Sequence, residues 1–94
     1  MYDRRWLDEY YNCLYDCGNR YQNMLNNADG EDDLKEFIQT YKQGCHDKLP
    51  IQKLCRWLGN IQGKLHERGY TTDDKERDWT RSLFRPLDFW DQSK

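Results

Sequence analysis

The sequence contains no valine, and isoleucine occurs only at positions 38, 51 and 61. Because strands favour β-branched residues, a chain with so few of them is not expected to form a sheet. Apolar residues occupy only 36% of the 94 positions and charged residues 34%, a composition that suits helices with fully hydrated outer faces. The sequence therefore predicts an all-α protein whose core relies on aromatic side chains.

No segment is apolar enough to cross a membrane, and the first residues do not resemble a signal peptide. We therefore expect a cytoplasmic protein without a membrane partner, whose cysteines are reduced. The spacing of Cys13, Cys17, Cys45 and Cys55 contains no C-x-x-C pair and matches no common zinc module. The cysteines are predicted to be small buried thiols, and no metal or other cofactor is expected.

Sequence motifs for catalysis are also missing. There are only two histidines, no Gly-x-Ser-x-Gly turn, no phosphate-binding Gly-Lys-Ser/Thr loop and no His-Glu-x-x-His zinc motif. The sequence accordingly predicts a protein that is not an enzyme.

The spacing of apolar residues predicts one helical domain over residues 1–94, built from about four helices. A long first helix, at about 3–27, carries an apolar stripe of Leu7, Tyr10, Leu14, Cys17, Tyr21, Met24 and Ala28. Three shorter helices are predicted at about 32–43, 50–68 and 73–85. Gly44, Gly69 and Pro86 are the expected stop signals, and Asp73 and Glu76 have the spacing of a capping box.

Residues 86–94 are predicted to form a short aromatic C-terminal tail. A chain of this length buries only a small core, so association into a homo-oligomer is expected to stabilise it. The charge is uneven, with a net of −5 over residues 1–47 and +4 over residues 48–86. Such a chain can pair its own halves or dock with copies of itself, but its overall charge does not favour duplex DNA as a partner.

Two glycines inside the third predicted helix, Gly59 and Gly63, need an explanation because each costs about 1 kcal/mol relative to alanine. Close packing of another helix is one explanation, and a ligand surface is the other. Arginine side chains near these glycines suit a phosphate-bearing ligand, and Arg81 and Arg85 have no acidic residue four positions earlier. The predicted ligand-binding residues are Arg56, Gly59, Gly63, Arg77, Arg81 and Arg85.

Three aromatic residues of the first helix, Trp6, Tyr11 and Tyr15, lie beside or off its apolar stripe. They could widen the core face of a long helix. Alternatively, they could form a contact surface for a protein partner, and under that hypothesis they are the predicted partner-binding residues.

The segment from Cys55 to Phe89 resembles the C-terminal half of a family of small proteins encoded by tailed bacteriophages. The shared pattern is RWLG-x-x-QG followed by ER-x-x-TR-x-x-F, which begins at Arg56 and ends at Phe84. Asn60 and Lys64 stand where the family has apolar residues, and Ser82 where it has proline. The resemblance implies a phage-encoded counter-defence protein that acts in the host cytoplasm by stoichiometric binding.

Three functional hypotheses remain open at this point. The first is sequestration of a phosphate-bearing nucleotide signal of host immunity by the arginine residues. The second is inhibition of a host defence protein or enzyme by the acidic, aromatic first helix. The third is binding of single-stranded nucleic acid through arginine and aromatic side chains, which the acidic total disfavours.

Overall fold

The computed structural model describes residues 4–88, and this part of the chain forms four α-helices and no strand. Helix α1 spans Arg4–Met24, α2 Asp32–His46, α3 Ile51–Glu67 and α4 Asp73–Asp88. Helix α1 contacts each of the other three. The prediction of an all-helical fold with four helices is therefore confirmed.

The core lies where α1 meets α2 and α3. Its fully buried side chains come from the predicted apolar faces: Leu14, Cys17, Tyr21 and Leu25 near α1, Ile38 and Tyr41 of α2, and Leu54, Ile61 and Leu65 of α3. The phenol of Tyr41 is buried without an unmet hydrogen bond, because its hydroxyl donates to the Leu14 carbonyl at 2.6 Å. One member of the predicted stripe, Leu7, is instead 40% exposed.

The end of α2 differs from the prediction. Gly44 was expected to stop the helix, but α2 continues through it to His46. Gly44 is buried, and a Cβ atom there would lie 2.9 Å from Leu49 Cδ1 and 3.0 Å from Leu54 Cδ2. It therefore permits close packing rather than a turn, and Lys48, with φ of 60°, adopts the left-handed conformation that follows the helix.

The end of α4 also differs, because the helix passes Pro86 and reaches Asp88. A tertiary contact accounts for the extension. Leu87 is buried, and its carbonyl accepts a hydrogen bond from the indole N–H of Trp6 at 3.0 Å. This bond satisfies one of the carbonyl groups left unpaired at a helix C-terminus. Of the predicted aromatic tail, residues 86–88 are thus helical, and residues 89–94 lie outside the described residues.

The predicted capping box at the start of α4 is wrong. The Thr72 hydroxyl accepts the backbone N–H of Lys75 at 3.2 Å, and the backbone N–H of Asp73 donates to Nδ1 of His66 at 3.0 Å. The Glu76 side chain does not return to the helix terminus. It is only 2% exposed and points into the interior.

The glycines inside helices fall into two groups. At Gly18, which is buried, an added Cβ would lie 2.6 Å from Lys42 Cγ and 3.2 Å from Tyr41 Cε2. This glycine allows α1 and α2 to approach closely. At Gly59 and Gly63 an added Cβ would meet nothing within 4 Å, and both residues are exposed. Packing of another helix within the described chain therefore does not explain these two glycines.

This contrast predicts opposite effects of the same substitution. Gly59→Ala should raise the free energy of unfolding by about 0.5–1 kcal/mol, because alanine is the better helix former and the new methyl group has space. Gly18→Ala should lower it by about 1–2 kcal/mol, because Lys42 and Tyr41 must move. Urea unfolding of both variants in dilute solution measures the difference, and a Gly18→Ala protein as stable as Gly59→Ala would contradict the packing described here.

Candidate ligand groove between α3 and α4

A groove of about 510 Å³ opens between α3 and α4, with α1 beneath it. Apolar groups and uncharged polar groups line its interior, and two arginine residues of α4 lie along its edge. The lining residues are Tyr10, Leu14, Cys55, Leu58, Gln62, Asp73, Glu76, Arg77, Thr80, Arg81 and Phe84. A small ligand site commonly has this composition, in which apolar walls carry a few oriented polar groups.

Aromatic rings form the wall of the groove on the side of α1. The ring centroids of Trp6 and Tyr10 are 5.1 Å apart, and those of Tyr10 and Phe84 are also 5.1 Å apart. The Tyr10 hydroxyl lies 3.8 Å from Sγ of Cys55 across the groove. Since the rings pack in tilted pairs, the wall is held in place by contacts that aromatic side chains favour.

Gln62 connects three helices beneath the groove. Its side-chain amide donates to the Tyr21 hydroxyl at 2.8 Å and to the Thr80 hydroxyl at 3.3 Å. Because Thr80 accepts this bond through its oxygen, its hydroxyl hydrogen is available to donate to a ligand. Gln62 occurs within the apolar face predicted for α3, and a polar residue at such a position was the sequence signal for this contact.

Glu76 is the central polar group behind the groove. The Arg20 guanidinium holds it with two hydrogen bonds of 2.9 and 3.1 Å, and the Thr71 hydroxyl donates a third at 2.5 Å. Arg20 also stacks on Trp79, with its Cζ atom 4.4 Å from the ring centroid. Burial alone would raise the pKa of Glu76, but these hydrogen bonds, the Tyr21 hydroxyl and the charge of Arg20 outweigh it and lower the pKa. The sequence gave no indication of this Arg20–Glu76 pair.

The six predicted ligand-binding residues do not form one site. Arg77 and Arg81 line the groove, whereas Arg85 is exposed one turn beyond its lining. Arg56, Gly59 and Gly63 lie on the outward face of α3 and do not line the groove.

The arginines of the groove differ in how they are paired. Arg77 has only a distant partner, Asp74, at 3.8 Å and on an exposed surface. Among the described residues, Arg81 has no ion-pair partner. The Glu76 carboxylate nearby is already occupied by Arg20. Arg81 is therefore the cation best placed to receive an anionic ligand.

The three predicted partner-binding aromatics do not share an exposed face. Trp6 is 9% exposed and is bonded to α4. Tyr11 is 7% exposed, and its hydroxyl donates to the Leu49 carbonyl at 2.6 Å. Only Tyr15, at 39% exposure, reaches the surface. The expectation of an aromatic contact surface is corrected for Trp6 and Tyr11, since both complete the core.

A second cavity, of about 540 Å³, lies between α1 and α2 and is lined by Tyr11, Tyr15, Lys42 and Lys48, among others. Its lysines already have partners. Lys42 donates to the Gln22 side chain at 2.5 Å, and Lys48 pairs with Asp8 at 3.1 Å. An anion in this cavity would have to compete for both cations, so the α3–α4 groove is the better candidate site.

The cysteines occupy different environments. Cys17 and Cys45 are buried, Cys13 is half-buried and Cys55 is exposed in the groove. Burial raises the pKa of Cys17 and raises that of Cys45 to about 11. Over residues 4–88, no group of three or more histidine, cysteine, aspartate or glutamate side chains is arranged to hold a metal ion. The prediction of buried thiols is correct for Cys17 and Cys45 and wrong for Cys55.

Comparison of the chain with protein-family models, with curated proteins and with solved structures gives no match. None of the four described helices combines the length and the apolar character needed to cross a membrane.

The Arg20–Glu76 pair predicts a specific dependence of stability on pH. Since the pKa of Glu76 is lower in the folded state than its ordinary value of 4.5, the pair stabilises the fold above that value. This contribution is lost as the pH falls from 4.5 through the lower, folded-state pKa. In Glu76→Gln the loss should be absent, and the free energy of unfolding at neutral pH should be lower by about 3 kcal/mol.

Unfolding in urea across the acidic range measures this difference. Glu36→Gln is the matched control, because Glu36 is exposed and makes no ion pair with a described residue. An identical pH slope for Glu76→Gln and the wild type would show that Glu76 does not carry the effect.

The thiols should react with a disulfide reagent in the order of their exposure. We expect Cys55 to react rapidly in the native protein, Cys13 more slowly, and Cys17 and Cys45 only after unfolding, because buried thiols with a raised pKa form little thiolate. Mass spectrometry after timed labelling identifies the modified residues. Early modification of Cys17 would be inconsistent with the core described above.

Proposed function

We propose that this protein acts by stoichiometric binding of a phosphate-bearing ligand in the α3–α4 groove. The observation that carries the proposal is Arg81, a guanidinium at the groove edge with no ion-pair partner among the described residues. Guanidinium groups bind phosphate through two parallel hydrogen bonds. Arg77, four residues earlier, adds a second positive charge on the same helix face.

The other groups of the groove suit the rest of a nucleotide. The Thr80 hydroxyl can donate to a phosphate or sugar oxygen, and the wall formed by Tyr10 and Phe84 offers ring faces and edges to a planar base. The volume of about 510 Å³ is within the usual range for small-molecule sites. A nucleotide is therefore the ligand class that matches both the charged edge and the aromatic wall.

The biological setting of this activity is also a proposal. It rests on the resemblance of the Arg56–Phe84 segment to tailed-phage proteins, which implies counter-defence in an infected cell. Binding without turnover would remove a nucleotide signal from the host defence. The sequence offers no catalytic motif that would suggest turnover instead.

The hypothesis of a protein inhibitor has less support from the same structure. It needed Trp6, Tyr11 and Tyr15 on an accessible surface, and the first two are buried. The hypothesis of single-stranded nucleic-acid binding needs a continuous basic track, whereas Arg56 lies away from the groove that Arg77 and Arg81 line.

Arg81→Ala should weaken nucleotide binding at least about tenfold, because a charge-assisted hydrogen bond contributes roughly 1.5–3 kcal/mol. Isothermal titration with a panel of linear and cyclic mono- and dinucleotides measures the affinity. Lys75→Ala is the control, since it removes the same charge from an exposed position of α4 that does not line the groove.

The circular dichroism spectrum of Arg81→Ala should be that of the wild type, because Arg81 makes no described ion pair that the fold requires. Equal affinities for the two variants, or no binding of any nucleotide by the wild type, would overturn the proposed function.

A further inference from the structure

The outward face of α3 is a continuous exposed stripe. It consists of every third or fourth residue along the helix, on the side opposite the buried Leu54, Leu58, Ile61 and Leu65. Its members are Gln52, Arg56, Gly59, Asn60, Gly63 and Glu67. The groove-lining residues of α3, which are Cys55, Leu58 and Gln62, are not part of this stripe.

The two glycines of the stripe have no role within the described chain. Gly59 and Gly63 take ordinary helical geometry, and a Cβ atom on either would meet nothing within 4 Å. Each nevertheless costs about 1 kcal/mol of helix stability relative to alanine. Glycines four residues apart on a helix surface allow another helix to approach to backbone contact.

The charges of the stripe indicate which helix could approach. Arg56 and Glu67 lie near its two ends, and neither forms an ion pair with a described residue. In an antiparallel pair of α3 helices crossing at the glycines, Gly59 of one copy faces Gly63 of the other. The same register brings Arg56 of each copy beside Glu67 of the other.

We propose that the outward face of α3 binds a second copy of this chain, forming an antiparallel two-fold dimer across Gly59 and Gly63. A two-fold interface uses the same surface on both copies, so it requires this kind of self-complementary pattern. A parallel arrangement would instead place Arg56 against Arg56. The proposal concerns a different surface from the ligand groove and does not depend on it.

Aromatic side chains beside the stripe enlarge the apolar area available to the dimer. Trp57 is half-buried next to it, packs edge-on against Phe37 with ring centroids 5.8 Å apart, and has Lys53 Nζ 5.2 Å from its ring. The 17-residue helix is about 25 Å long, which corresponds to a small interface. We therefore expect a dimer in reversible equilibrium with the monomer.

Sedimentation equilibrium over a range of protein concentrations tests the proposal by charge reversal. Arg56→Glu removes both symmetric ion pairs and should raise the dimer dissociation constant at least about tenfold. The double variant Arg56→Glu with Glu67→Arg exchanges the charges and should return it to within about threefold of the wild type. Lys75→Glu, an equal charge change on exposed α4, should leave it unchanged.

The glycines provide a second, independent measurement. Gly59→Ala combined with Gly63→Ala should stabilise the dilute monomer and yet weaken the dimer, because the added methyl groups have space in one copy but not at the crossing. These opposite signs separate the proposal from a general loss of folding.

Three results would overturn the dimer. One is a wild type that stays monomeric at every concentration. Another is an assembly that the Arg56→Glu variant forms as well as the wild type. The third is a charge exchange that fails to restore association, which would indicate that α3 docks on another surface, such as the acidic half of a neighbouring copy.

Discussion

The buried carboxylate of Glu76 determines where α4 lies against α1, and the groove depends on that position. A carboxylate that is 2% exposed is stable only if its hydrogen bonds and its charge are satisfied, and Arg20 and Thr71 do both. The same pair leaves the nearby arginines of α4 without a competing acid inside the protein. The interaction that orders the helix therefore also leaves positive charge available at the groove edge.

The fold could be predicted largely from the pattern of apolar residues, because burial of one face per helix is what the sequence encodes most directly. Gly30 and Gly69 have the positive φ values expected of helix ends, at 79° and 84°. The errors arose where tertiary contacts decide the outcome. Gly44 continues a helix because Leu49 and Leu54 pack on it, and α4 passes Pro86 while Trp6 donates to the Leu87 carbonyl.

The site could be predicted only in part. The four-residue spacing of Arg77 and Arg81 identified one edge of the groove, because helical periodicity places such residues together. Arg20, Gln62 and Glu76 were missed, since their partners are 18 to 56 positions away and no local pattern joins them. The glycines of α3 were assigned correctly as unusual, but the simpler explanation, helix packing inside the chain, fails because their surroundings are open.

Ligand binding by the α3–α4 groove is the central claim, and native mass spectrometry tests it most directly. The protein would be incubated with the small-molecule fraction of bacterial cells, desalted, and weighed before and after denaturation. The account predicts an added mass of nucleotide size that is released on denaturation and is absent when Arg81→Ala protein is treated in the same way. A wild-type protein that carries no added mass after this exposure would contradict the account.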